Sequence, residues 1–397
     1  MGDTATTFEA RIERLVASGA GLARVEGRVV FVAGAVPGDL VRARVVRSAK
    51  RHDEAVVEEL LEPSPDRRVA RCAHFGTCGG CALQHLAYPA QLAAKRALVL
   101  DALRSVAGVV PEFEVEVLGS PEYGWRARAE FQVASTGTKR GPGGFRVRSH
   151  EVEAVHECPV LVPELENALR ELDGGARPIP EDARTIHLAA GDAKTAVVYS
   201  DEKGKVIGNE LEIRQNVAGF DFTLGARGFF QANRALLPQL VERATAGPHG
   251  SLAFDLYAGS GLFSLPLARR FDLVMAVEED KAAAARLGVN ARRAGRTGVQ
   301  AHASEVSRWL GLARRLGPDF VLLDPPRAGA GPGVVDALVA SGAAEIRYVS
   351  CDPATLARDL RGFLPRGYRL EGLVVLDLFP QTLHVEAIAT LKRVVVA

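Results

Sequence analysis

From about Gly228 the chain alternates short apolar runs with helical stretches, and this alternation constrains the fold more than any other feature. SLAFDLY, LVMAVEE, DFVLLD and IRYVSC are nearly continuous apolar runs. Strands of that kind are buried on both faces, as in a parallel sheet whose crossovers are helices. The last runs, GLVVLDLF and VEAIATLKRVVV, have no helix between them and predict an antiparallel closing pair. Residues 226–397 therefore predict a Rossmann-like α/β domain.

The preceding sequence reads differently. Over residues 1–64, FEARIERLV, GLARV, RVVFV, DLVRARVVR and DEAVVEELL are separated by glycine-rich or polar turns. Short, evenly spaced strands predict a small OB-like β-barrel. Its basic residues gather at Arg42, Arg44, Arg47, Lys50 and Arg51, with Arg42 and Arg44 on one face of a strand. That face suits RNA or a solvated charged edge, and both readings stay open. EPSPDRR reads as a linker, and PAQLAAKRALVLDALRSV as a helix with Pro89 near its start. Residues 65–225 mix strand and helix signals, which predicts a β-rich α+β central domain. The expected whole is multidomain: barrel, central domain and Rossmann-like domain.

Charge and cysteine usage narrow the class. Lys and Arg number 49 against 48 Asp and Glu, so a globally basic nucleic-acid binder is excluded, although local basic patches are not. MGDTATTFEARIERL has no apolar signal region, and no stretch is long and apolar enough to span a bilayer. Five cysteines in 397 residues do not make a disulfide scaffold. The expectation is a cytoplasmic monomer, off the membrane, with reduced thiols.

Those cysteines divide into four and one. Cys72, Cys78 and Cys81 share the loop RCAHFGTCGGC, and Cys158 follows in HECPV. Thiolates in this number suit zinc or an iron–sulfur cluster, and three ligands in one loop with a distant fourth lean toward a cluster. Cys351 stands apart in YVSCDPATL, after an apolar run, at the end of a strand where open α/β sheets bind ligands. Pro353 can open the next helix, whose N-terminus would favour a thiolate at Cys351.

SLAFDLYAGSGLFSLPLA reads as strand, glycine-rich turn and helix. Gly259 and Gly261 let the backbone approach a ligand, and Glu278, ending the next strand, can accept ribose hydroxyls. The turn lacks the third glycine of the dinucleotide fingerprint. An adenosine cofactor without pyrophosphate fits, which points to S-adenosyl-L-methionine rather than NAD. The strand DFVLLD ends in Asp324-Pro325-Pro326-Arg327, and Arg327 stands where amino-group methyltransferases carry an aromatic residue. A thiol beside such a cofactor suits methylation of uracil C5. Adding sulfur to C6 makes C5 nucleophilic, and a base must then remove the C5 proton. FPQTLHVEAIATL offers His384 and Glu386, between which the chemistry alone does not choose.

GFFQAN, FDLYAGSGLFSLPLA, VLLDPPRAG, YVSCDPATLARDL and FPQTLHVEAIATL match the RNA (uracil-5-)-methyltransferases in type and order, and most of the chain resembles that family. The resemblance implies that Cys351 is the nucleophile and Glu386 the base, with His384 positioning. It implies that Gln231, Tyr257, Glu278 and Asp324 line the pocket for cofactor and target base, and that Phe229 stacks on the flipped uracil. The barrel resembles a TRAM domain, and Cys72, Cys78, Cys81 and Cys158 match the ligands of a [4Fe-4S] cluster. Barrel plus cluster resembles the enzymes of 23S rRNA more than those of tRNA, which remains the alternative. A non-catalytic iron–sulfur RNA-binding protein is the rival class, and Cys351 with Glu386 argues against it. Leu262 stands where the family often has a polar residue, Ser304 falls near the expected adenine contact, and TKRGPGGF looks like a glycine-rich insertion. Arg126 and Arg128, with Arg146 and Arg148, suit either phosphate contacts or exposed strand charge.

Overall fold

The computed structural model describes residues 6–394 except 138 and 314. Contacts divide the chain into two compact units. One comprises Met1–Leu98, Phe145–His150 and Gln381–Leu383, and the other Val99–Gly144, Glu151–Pro380 and His384–Ala397.

The first unit is built on a six-stranded sheet of Thr7–Arg11, Leu40–Ser48, His52–Glu62, Arg28–Ala33, Gly21–Val25 and Arg14–Leu15, in that spatial order. Register shifts at Leu40/Val41, Arg42/Ala43 and Val45/Arg47 insert bulges, and bulges bend a strand and increase its twist. The sheet curls until Thr7–Arg11 meets Gly21–Val25. Its interior is small and fully apolar: Ala23, Val30, Val32, Val41, Ala43 and Ala55 are all buried. Outside, the arginines meet acids on neighbouring strands. Arg42 pairs with Glu9 (2.8 Å) and with Glu59, Arg44 with Glu58 (2.7 Å), and Arg47 with Glu54 (3.2 Å).

EPSPDRR is more than a linker. Asp39 is fully buried and accepts N–H bonds from Val36 (2.8 Å) and Ser64 (2.9 Å). Arg67 closes on it at 2.6 Å. Burial alone would raise its pKa, but Arg67 and the two N–H groups outweigh it and hold the carboxyl below the usual range. The cysteine loop follows, and the FRVRSH tip is strapped onto it by Gly79 N–H to Phe145 O (2.8 Å) and Val147 N–H to Thr77 O (2.9 Å). Gln381, fully buried with φ +68°, also belongs here. Its carbonyl accepts Ala82 N–H (2.8 Å) and Leu83 N–H (2.9 Å), its Oε1 accepts Gln91 Nε2 (2.9 Å), and its backbone N–H donates to Gln91 Oε1 (3.1 Å).

The second unit holds the expected parallel sheet. Gly250–Leu256 lies near its centre, with Phe271–Glu278 and Val299–Ala303 to one side and Phe320–Leu323 and Glu345–Ser350 to the other. These five strands are parallel. Glu386–Arg393 and Tyr368–Leu376 close the sheet antiparallel, as the missing helix predicts. Glu116–Leu118 adds an eighth strand, parallel to Tyr368–Leu376, which the mixed signals upstream did not reveal. Alternation assigns the two faces. Phe254, Leu256, Val321 and Leu323 enter one core cluster, whereas Ala253, Phe320 and Leu322 enter the other. The expected helix is present as Tyr88–Ala102 with a π-helical turn at Leu103–Ala107.

A second six-stranded sheet runs Val152–Ala154, Lys139–Phe145, Arg128–Thr136, Thr185–Ala190, Thr195–Ser200 and Val206–Ile207. KRGPGGF, expected as an insertion, is one of these strands. A Cβ on Gly143 would sit 2.4 Å from Val152 and 2.8 Å from Ala134, so glycine here permits close strand packing.

Candidate active site

The strand order diverges between Gly250–Leu256 and Phe320–Leu323, and such a switch point opens a crevice at the carboxyl ends. The glycine-rich turn lies there. Tyr257, Gly259 and Gly261 take φ of +62°, +54° and +97°. Gly259 N–H donates to Glu278 Oε2 (2.8 Å), and Asp280 N–H to Glu278 Oε1 (2.8 Å). The acidic strand end is thus fixed against the turn. Beneath it, fully buried Asp255 accepts the Ser264 hydroxyl through one oxygen, while Oδ1 has no partner among the described residues. Burial pushes its pKa up to about 7. Leu262 packs into the apolar cluster at 7% exposure, so it makes no polar contact of the kind its family position suggests. Ser304 N–H donates to Glu278 O (3.0 Å).

The thiol site is the adjoining strand end. Ser350 pairs with Ala387 in the antiparallel ladder, so Cys351 and Glu386 are the next residues outward on the two strands. Glu386 is 2% exposed, and its Oε1 has no hydrogen-bond partner among the described residues. Burial, then the Asp324 charge, raises its pKa well above the usual carboxylate range. Asp324 follows the neighbouring strand and is pushed up to about 7 by burial and by Asp255. Cys351 is half-buried. Burial pushes its thiol up to about 11, Glu386 and Asp324 add to the rise, and Arg327 pulls it back.

The buried surroundings and the carboxylates oppose the thiolate expected at a helix N-terminus. The helix Pro353–Phe363 begins as anticipated, but Asp352 caps it and accepts Ala354 N–H (2.9 Å) and Thr355 N–H (2.8 Å). Its first donors are already satisfied, and the carboxylates near the sulfur dominate. His384 precedes the strand and is exposed, with Arg327 Nη2 3.2 Å from its Nε2. Only Glu386 of the pair is buried beside the thiol.

The GFFQAN motif precedes the strand Gly250–Leu256. Phe229 is 82% exposed, whereas Phe230 and Gln231 are buried. Arg128, expected on a phosphate, lies under this loop and donates from Nη1 to the carbonyls of Gly225, Ala226 and Gly228 (3.1, 3.2 and 2.8 Å). Its role here is a brace, and burial lowers its pKa to about 10. Arg126 is half-buried and donates from Nε to Arg128 O (3.0 Å). Asn233, which the sequence reading passed over, donates to Ser120 Oγ (2.8 Å) and Leu378 O (3.1 Å) and fixes the same loop. Its place two residues after Gln231 in GFFQAN was the available signal, and the structure buries it at 1% exposure.

The four cysteines of the other set are half-buried. Among the described residues no group of three or more His, Cys, Asp or Glu side chains is arranged to hold a metal ion. No helix among those residues is long and apolar enough to cross a membrane.

A thiol among buried carboxylates, at the ligand-binding edge of a sheet with an adenosine-type turn, defines the class as a methyltransferase of Rossmann-like fold. Comparison with known proteins makes this specific. The tRNA (Uracil-5-)-methyltransferase family profile matches residues 312–394, and the TRAM domain profile matches residues 4–56. The 23S rRNA (uracil(1939)-C(5))-methyltransferase RlmD of Pseudomonas entomophila is 35% identical over 95% of this chain and 92% of its own. That of Alkalilimnicola ehrlichii is 35% identical over 97% and 96%. A crystal structure of Pyrococcus abyssi tRNA (uracil-54, C5)-methyltransferase with S-adenosyl-L-homocysteine matches with a TM-score of 0.74 and 26% identity, covering 97% of this chain and 100% of that one. The chain belongs to the RNA uracil-C5-methyltransferase family. It is an S-adenosylmethionine-dependent enzyme with an N-terminal TRAM domain, and its substrate is RNA.

Proposed function

We propose that this enzyme methylates C5 of a uridine in 23S rRNA through a transient bond from Cys351 to C6, with Glu386 as the base. One observation carries the chemistry: Cys351 and Glu386 are neighbours across the closing ladder, beside Asp324. The cofactor supplies an electrophilic methyl group on a sulfonium. Carboxylates at Asp255, Asp324 and Glu386, with raised pKa values in the ligand-free protein, suit a cationic ligand. Glu278 and the Gly259 turn would hold the nucleoside part, with Tyr257, Gly261 and Gln231 lining it.

In the reaction Cys351 gives its proton to solvent and its thiolate bonds to C6, breaking the C5–C6 double bond and placing the charge on the uracil C4 oxygen. The enolate electrons at C5 take the methyl group as the S–CH3 bond breaks, and the sulfonium leaves as a neutral thioether. The Glu386 carboxylate removes the C5 proton, the C5–C6 double bond re-forms, and sulfur leaves as thiolate. Phe229, exposed at the rim, stacks on the extruded base and offsets part of the few kcal/mol that extrusion costs. Arg126 remains the proposed phosphate contact. The 23S reading rests on near full-length similarity to rRNA enzymes. A tRNA reading is favoured by the Pyrococcus structure. Assaying both RNAs from a strain lacking the enzyme decides, and methylation of tRNA alone overturns the rRNA assignment.

We also propose that Cys72, Cys78, Cys81 and Cys158 hold a [4Fe-4S] cluster. Four cysteine side chains are the right donor set, and Gly80 N–H approaches Cys78 Sγ at 3.5 Å, a contact of the kind that supports a thiolate ligand. Methylation needs no electrons, so the group would be structural. Anaerobically purified protein should contain about four irons per chain, and stoichiometric zinc without iron would refute this.

A further inference from the structure

We propose that Asp359, with Tyr348, is a positioning residue that holds the Arg327 loop against Cys351 and thereby sets how readily that thiol ionises. The inference rests on Cys351 being the nucleophile.

Asp359 sits on the helix Pro353–Phe363, which follows Cys351, at 3% exposure. Its Oδ2 accepts Ala330 N–H (2.8 Å), Gly331 N–H (3.5 Å) and the Tyr348 hydroxyl (2.7 Å). Tyr348, fully buried three residues before Cys351, also accepts Ala330 N–H (3.0 Å). Oδ1 accepts Arg358 Nε (2.9 Å) and Nη2 (2.7 Å), and Nη2 reaches on to Ala328 O (2.8 Å). The segment Ala328–Gly331, directly after Arg327, is thus gripped at three backbone groups by one carboxylate and its attached arginine. Gly329 shows how tight the grip is: at φ +77°, a Cβ would lie 2.6 Å from Asp359 Oδ2.

The consequence concerns charge. The thiol is faced by Glu386 from the closing strand, by Asp324 and Arg327 from the loop after Phe320–Leu323, and by the helix start, whose Asp352 is committed to its cap. His384 lies beside Arg327 at the rim. Arg327 is the cation among these that favours thiolate, so losing its placement leaves the carboxylates unopposed. An opposite charge within about 4–6 Å changes a pKa by about 1–3 units.

The test is alkylation of Cys351 by iodoacetamide in the intact protein, followed by mass spectrometry of its peptide at pH 8. Below its pKa the thiol reacts in proportion to its ionised fraction. Asp359→Asn and Arg327→Ala should each slow alkylation about tenfold, the effect of about one pKa unit. Tyr348→Phe should slow it less, and it carries the test if Asp359→Asn does not fold. The double variant Asp359→Asn/Arg327→Ala should be no slower than Arg327→Ala alone, because one effect acts through the other. Loosened packing would expose the sulfur and speed the reaction, the opposite sign. Faster or unchanged alkylation in Asp359→Asn, or additive effects in the double variant, would overturn the proposal. Methylation by Cys351→Ala tests the underlying nucleophile reading separately, and its outcome leaves the alkylation result interpretable.

Discussion

The barrel and the catalytic crevice treat charge in opposite ways. In the barrel, Arg42, Arg44 and Arg47 each meet a glutamate, and buried Asp39 is answered by Arg67 and two N–H groups. In the crevice, Asp255, Asp324 and Glu386 are gathered with a thiol, and Arg327 is the cation facing the sulfur. The barrel has settled its electrostatics in the fold. The crevice has left them unsettled, and such clusters mark sites where a ligand completes the charge balance.

The sharpest way to break the contrast is to remove the thiol. Cys351→Ala should abolish methylation while RNA affinity, measured by filter binding, stays near that of the parent. Retained turnover would make the crevice charge irrelevant to chemistry. Glu386→Gln should slow turnover roughly a hundred- to ten-thousand-fold, the usual contribution of a general base.

Stability against pH should then run in opposite directions. Asp324 has its pKa raised to about 7, so its contribution is complete below the unfolded value near 3.8 and is lost as pH rises through 7. Asp324→Asn should therefore resemble the parent at pH 4 and be more stable at pH 8. The gain is at most roughly 4 kcal/mol, at about 1.36 per pKa unit. Asp39 is depressed, so its contribution is present at neutral pH and lost on acidification through its folded value. Asp39→Ala should cost roughly 2–4 kcal/mol at pH 7, because Arg67 and two buried N–H groups lose their acceptor. Urea midpoints at the two pH values check both signs. Smallest of all, Arg42→Ala should barely move the midpoint, since its pairs are solvent-exposed.

Much of this could be read in advance, for identifiable reasons. The parallel strands announce themselves because burial on both faces demands unbroken apolar runs, and the closing antiparallel pair because a parallel return needs a crossover. Cys351 and Glu386 were legible as chemistry-bearing residues at strand ends. The strand KRGPGGF was not, because its glycines are there for close packing across strands that local propensity does not see. The helix start after Cys351 is visible in the sequence, whereas the convergence of Asp324 and Glu386 on the thiol is tertiary. The bracing role of Arg128 was hidden for a similar reason: a strand arginine looks exposed until the loop it braces is known. Asp359 gave no signal, since an acid inside RDLRGF is ordinary until Tyr348 and Ala330 meet it.

The central claim, a sulfur–uracil bond resolved by Glu386, is tested most directly by incubating the Glu386→Gln enzyme with 23S rRNA and S-adenosylmethionine and measuring the mass of the denatured product. A protein–RNA adduct carrying the transferred methyl group and absent from Cys351→Ala is the expected result. Free 5-methyluridine forming at the parent rate with no adduct would contradict it.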